Sequence, residues 1–126
     1  MPTLQTLERF IALVEQNQHV GAIEAFYTEH ASMQENQAAP RVGRGTLMAG
    51  EARVLARVKK VTSRCVRPAL VNGDQVAIRW VFEFEWHDGS SMRMEEIAWQ
   101  RWEGERIAEE TFFYDPAQRA SQLPAV

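Results

Sequence analysis

The sequence predicts an α+β fold in which three amphipathic helices cover one face of a dominant, curved antiparallel sheet. Two runs carry most of that prediction: residues 76–86 and 92–102 are long and strand-like, and they meet at His87-Asp88-Gly89-Ser90. Alternation on both sides of an Asp-Gly tip is a hairpin signal. The third observation is order. The helical spacing near 3.6 is confined to the first half of the chain, with one short alternating stretch, and the long runs with a spacing of two to the second, with no repeat and no linker between them, as expected of an α+β order.

Thr3 is placed to cap a first helix over about residues 3 to 17, with Leu4, Leu7, Phe10, Ile11 and Val14 on one face and Asn17-Gln18 as its stop. A second helix is predicted from His19 to about His30, presenting Val20, Ile23, Phe26 and Tyr27; Ala31 to Glu35 then alternate as a short edge strand. Residues 36–45 carry two Gly and a Pro without periodicity, and read as a loop and candidate lid before a third helix capped by Thr46 and reaching about residue 60. A strand from Val61 to Val71, an Asn72-Gly73-Asp74 turn, the hairpin, and a last strand from Arg106 to Asp115 complete one domain over residues 1–116, with 117–126 as a tail.

A chain of 126 residues is long enough to bury a core without staples. Fourteen Lys and Arg against seventeen Asp and Glu leave a formal charge of -3, which argues against nucleic acid as a partner. A single cysteine, Cys65, excludes an intrachain disulfide and reads as an inert packed thiol. With no basic-then-apolar leader and no long apolar run, a cytoplasmic protein without membrane contact is expected. His19, His30 and His87 form no i, i+4 pair, and Gly43-Arg44-Gly45-Thr46 lacks the spacing and lysine of a phosphate loop, so neither a metal nor a cofactor is expected.

The first hairpin strand sets Ile78, Trp80, Phe82, Phe84 and Trp86 on one face, and pairing turns Met92, Met94, Glu96, Ala98 and Gln100 the same way. This is more bulk than a thin sheet needs. The stripe reads as the wall of a small-molecule cavity lined by Trp80, Phe82, Phe84, Met92 and Met94, with Met33 and Phe10 from the N-terminal half and with Gln100 orienting a ligand. Core filling by the methionines and a backbone bond for Gln100 are the alternatives. The opposite face holds Val81, Ile97, Trp99 and, on one phasing of the last strand, Phe112 and Tyr114. An apolar outer face predicts a homodimer packed sheet to sheet, rimmed by Arg79, Glu83, Arg93 and Glu95. That phase also places Glu109, Glu110, Tyr114 and Asp115, and a bulge near Gly104 reverses it.

The run Glu95-Glu96-Ile97-Ala98-Trp99-Gln100-Arg101-Trp102-Glu103-Gly104-Glu105-Arg106-Ile107-Ala108-Glu109-Glu110-Thr111-Phe112-Phe113-Tyr114-Asp115-Pro116 resembles the C-terminal signature of polyketide-cyclase-like (SnoaL-like) members of the nuclear transport factor two superfamily, to which ketosteroid isomerases, limonene epoxide hydrolases and scytalone dehydratases also belong. The resemblance covers about residues 3 to 116. It implies a cone-shaped sheet wrapped around three N-terminal helices (a cystatin-like roll), an apolar pocket in its mouth and frequent dimerisation through the outer face. Matched residue by residue, Glu35 stands closest to the general base of ketosteroid isomerases, upstream of Pro40-Arg41. Phe10 and Ala98 stand where those enzymes carry their oxyanion donors, so a plain ketosteroid isomerase is not implied. Glu83-Phe84-Glu85 and Thr111-Phe112 replace the acid-arginine-acid set of the epoxide hydrolases, and only His30 is near a place where the dehydratases need histidine.

Glu96, set among aromatics and methionines, is the best candidate proton carrier, since burial raises a carboxyl's pKa towards neutrality. Its rival role is an ion pair with Arg44 or Arg53. Glu35 is the second candidate, with a surface charge as its rival. The expected function is a small-molecule pocket acting as a cofactor-free isomerase, cyclase or lyase that moves a proton on an apolar carbonyl compound. The alternative is a non-catalytic protein that binds a hydrophobic ligand or serves as a dimeric scaffold.

Overall fold

A computed structural model describes residues 1–120. Helix α1 spans Leu4–Glu15; the Thr3 hydroxyl caps it by accepting from the backbone N–H of Thr6 at 3.1 Å. Helix α2 spans His19–Phe26 and α3 Arg44–Ala56. The strands are β1 Tyr27–Glu35, β2 Arg41–Val42, β3 Val58–Asn72, β4 Gln75–Trp86, β5 Ser91–Glu103 and β6 Arg106–Phe113. They form one unclosed sheet in the order β2-β1-β6-β5-β4-β3, antiparallel except where β1 runs parallel to β6. The fold is thus α+β, three helices against a curved six-stranded sheet. Among the described residues no helix is long and apolar enough to cross a membrane.

Several boundaries differ from the sequence reading. Helix α2 stops at Phe26 rather than near His30, because Tyr27 opens β1 against Ile107 of β6 and buries its ring in the core; parallel pairing outweighs a helical period. Helix α3 starts at Arg44 with Gly43 as its cap residue, at φ 105°, so Thr46 lies in its first turn and does not cap it. It also ends earlier, and β3 begins at Val58. The expected lid loop contains β2. The last strand ends at Phe113, and the tail begins as a 3-10 turn over Pro116–Arg119; residues 121–126 of that tail lie outside the described residues.

Hairpin register agrees with the alternation: Trp80 faces Glu96, Phe82 faces Met94 and Phe84 faces Met92 across β4 and β5. The concave face buries Val76, Ile78 and Trp80 against Leu7, Phe10 and Ile11 of α1, and Phe10 meets Phe26 and Trp102 edge-on with centroids 5.7 and 6.0 Å apart. Cys65 is buried in the same core, where desolvation raises its thiol pKa.

The phase of β6 is set by a bulge. Arg101 pairs with Glu109 but Trp102 pairs with Ile107, leaving Ala108 as the extra residue, and both Ile107 and Ala108 are buried. Beyond the bulge Glu110, Phe112 and Tyr114 turn inward and Phe113 turns outward. Phe112 and Tyr114 are therefore not part of the outer face, contrary to the first phasing considered above. That face instead exposes Trp99 (50 %), Phe113 (43 %) and Ile97 (37 %), while Val81 is buried. Arg79, Glu95, Arg93 and Glu83 form a chain of ion pairs across it: Arg79 with Glu95, and Arg93 at 3.7 Å from Glu95 and 3.8 Å from Glu83.

Candidate functional site

Bent strands and three covering helices leave a hollow of about 210 Å³ on the concave face. That is below the roughly 300–1,000 Å³ of a drug-sized site. Of the residues expected to line it, Trp80, Phe82, Phe84, Met92, Met94, Met33 and Phe10 do so, and both carboxylate candidates, Glu96 and Glu35, reach it. Trp80 and Phe82 stack with centroids 5.5 Å apart, making a flat aromatic wall.

Gln100 is a correction. It is completely buried and does not line the hollow: its amide donates to Glu110 Oε2 at 2.6 Å and its carbonyl accepts from Trp102 Nε1 at 2.9 Å. The Tyr27 hydroxyl donates a short hydrogen bond to the other Glu110 oxygen. Tyr27, Glu110, Gln100 and Trp102 thus form one hydrogen-bonded chain that runs from the cavity wall, which Tyr27 and Glu110 line, into the core. Replacing Gln100 by Leu leaves the Trp102 N–H and one Glu110 oxygen without partners in the core. The expected loss is about 3 kcal/mol, read from the urea midpoint.

Burial pushes the Glu110 carboxyl up to about 7 despite the two bonds that favour its ionised form, and the charge of Glu51 adds to the rise. The Tyr27 hydroxyl is raised well above its ordinary value, first by burial and then by Glu110. Glu96 carries the larger consequence. It has no hydrogen-bond partner among the described residues, and desolvation, followed by the charges of Glu110, Glu35 and Glu51, pushes it up to about 8; Arg119 pulls weakly the other way. The ion pair considered for it does not form. Arg44 donates instead to the Tyr27 backbone carbonyl at 3.2 Å, and Arg53 is exposed.

Glu35 stands at the mouth, where its carboxylate takes Arg41 at 2.9 Å and lies 3.8 Å from Arg119. At another part of the wall His19 lies 3.2 Å from Glu51 through Nδ1 and 2.8 Å from the Ser63 hydroxyl through Nε2, with its ring edge-on to Phe82. His30, by contrast, is exposed.

Three of these groups escaped the sequence reading. Tyr27 was assigned to helix two, which hid its direction. His19 and Glu51 belong to α2 and α3 and meet only after the helices pack. Glu110 was visible as one of four candidates on the last strand. Only the bulge, signalled by consecutive apolar Ile107 and Ala108, selects it.

Residues 7–110 match the family model of the SnoaL-like domain. Among solved structures, a protein described as a SnoaL-like polyketide cyclase from Mesorhizobium loti superposes with a TM-score of 0.75 at 22 % identity, over 90 % of this chain and 100 % of its own. A protein with a ketosteroid isomerase-like fold from Catenulispora acidiphila, solved with trimethylamine, gives 0.78 at 20 % identity over 97 % and 95 %. TerC, crystallised with polyporic acid, gives 0.75 at 10 % identity over 93 % and 94 %. At these identities the likeness is one of fold. No curated protein sequence matches the chain.

Proposed function

The chain belongs to the SnoaL-like domain family, and from that premise we propose that it is a cofactor-free isomerase, cyclase or lyase whose Glu96 moves a proton on a small apolar carbonyl compound. The observation that carries this reading is the setting of Glu96: a carboxyl at the wall of an apolar hollow with no hydrogen-bond partner among the described residues, its pKa pushed up to about 8 by desolvation. A base with that pKa takes a proton from the carbon beside a carbonyl far more readily than an ordinary carboxylate does. Trp80 and Phe82 hold the flat body of the substrate. Glu110, once ionised above about pH 7, raises Glu96 further, and Glu35, paired with Arg41, acts on Glu96 through its charge.

The test is deuterium exchange at the α-carbon of 2-tetralone in D2O, followed by NMR. The native protein is expected to accelerate exchange over buffer and over protein denatured in urea. Equal rates would overturn the catalytic reading and leave a cavity that binds without reacting.

The exposed strip of Ile97, Trp99 and Phe113 supports an association of two copies through the outer sheet face. Trp99→Glu would place like charges opposite each other in such a symmetric interface. Sedimentation is expected to show a dimer for the native chain at micromolar concentration and a monomer for the variant; a monomeric native chain would sink the proposal.

A further inference from the structure

We infer that the mouth of the cavity is an anion-binding subsite, in which Arg41 and Arg119 flank Glu35 and receive the carboxylate of a small aromatic acid whose rings lie on the Trp80 and Phe82 wall. This rests on the reading of the hollow as a small-molecule site and narrows the class of molecule that enters it.

The charge count at the mouth is unequal. Glu35 Oε2 accepts from Arg41 at 2.9 Å, and Glu35 Oε1 lies 3.8 Å from Arg119, whose guanidinium also donates to the Tyr114 hydroxyl at 3.2 Å. Two guanidinium groups share one carboxylate, leaving one positive charge in excess. Each guanidinium has five N–H donors in a planar fork suited to a carboxylate. Among the described residues Arg41 uses one of them in a hydrogen bond, and so does Arg119.

Both arginines are placed by the fold. Arg41 pairs with Met33 across β1 and β2, so it shares the concave face with that residue, and both line the hollow. Arg119 is carried by the 3-10 turn, which Asp115 caps by accepting from Ala117 N–H at 2.9 Å. The turn is docked on the part of β5 that extends past the end of β6. There the Gln118 amide accepts from Glu95 N–H at 2.8 Å and donates to Glu95 C=O at 3.0 Å, as a neighbouring strand would. The chain after β6 thereby brings a cation to the opening.

The interior opposes an anion least while Glu96 and Glu110 hold their protons. Glu96 is faced by the charges of Glu110 from β6, Glu35 from β1, Glu51 from α3 and Arg119 from the turn. While protonated it offers an O–H to an incoming carboxylate; once ionised it repels one.

Isothermal titration at pH 7 with naphthalene-1-carboxylate, naphthalene-1-carboxamide and 1-naphthylmethylammonium tests this, because the three share rings and differ in the charge of the head group. The carboxylate is expected to bind about five-fold more tightly than the carboxamide. The difference should shrink at 0.5 M salt and on raising the pH from 7 to 9. Arg119→Gln and Arg41→Gln, both at exposed positions, are expected to reduce the ratio of acid to amide affinity. Equal binding of acid and amide, preference for the ammonium, or a preference unchanged in both variants would overturn the subsite and leave the cavity reading standing. Failure of all three probes to bind would remove the cavity reading and the subsite together.

Discussion

Glu96→Gln is expected to lower turnover of any carbonyl substrate by about 10²- to 10⁴-fold, the range over which a positioned acid-base group acts, while leaving the fold intact. Glutamine keeps the shape and adds no charge at a site where the native carboxyl is already neutral below about pH 8. The native enzyme's rate has a matching signature. Proton abstraction needs the ionised form, so the rate climbs about tenfold per pH unit towards pH 8 and then levels. Because Glu110 titrates near 7 close by, the inflection belongs to the pair and not to Glu96 alone. A profile that is flat from pH 6 to 9, or a Gln variant with native turnover and native circular dichroism, would remove Glu96 from the mechanism. Glu35→Gln offers the contrast: it removes one of the charges that raise Glu96, so it should shift the inflection to lower pH while keeping a pH-dependent rate that Glu96→Gln abolishes.

Why Glu96 was legible in the sequence and Glu110 was not is a matter of reference frames. Pairing across an Asp-Gly hairpin fixes which residues of β5 face which of β4, and alternation then carries Glu96 to the side of Trp80 without any knowledge of the rest. The last strand has no such tether. One extra residue at Ala108 inverts everything after it, so Phe112, Tyr114 and Glu110 sat on the wrong or an undecided face until the register was known. Tyr27 shows a different failure: a helical apolar period extended past Phe26, yet the partner that makes it a strand, Ile107, lies far along the chain. Long-range pairing cannot be read from a local window. Gln100 was correctly aimed inward but at the wrong depth, since facing a sheet's concave side does not distinguish cavity wall from core floor. His19 and Glu51, on separate helices, had no local pattern to join them.

Stability should fall as pH rises from about 5 to 8, the reverse of ordinary acid denaturation. In the unfolded chain Glu96 ionises near its ordinary 4.5, whereas in the folded protein it keeps its proton to about 8. Over that window the native state binds a proton that the unfolded state has released, so the free energy of unfolding decreases by up to 1.36 kcal/mol per pH unit. The stabilisation is fully present below 4.5 and exhausted above about 8. Glu110 contributes in the same direction between 4.5 and about 7, and coupling between the two makes their effects less than additive. The exposed carboxylates Glu8, Glu95 and Glu105, lowered by their bonds to Arg67, to Arg79 and to Thr6 respectively, act oppositely but only below about pH 4.5. Urea unfolding at pH 5, 6.5, 8 and 9 measures the slope, and a stability that is flat or rises from pH 5 to 8 would contradict the buried state of both acids. The Glu96→Gln variant has no charge to bury and should therefore exceed the native protein in stability above pH 8 while losing its activity there. The free energy that the native fold gives up by ionising Glu96 in the hollow is the same free energy that makes this carboxylate a strong enough base to take a proton from carbon.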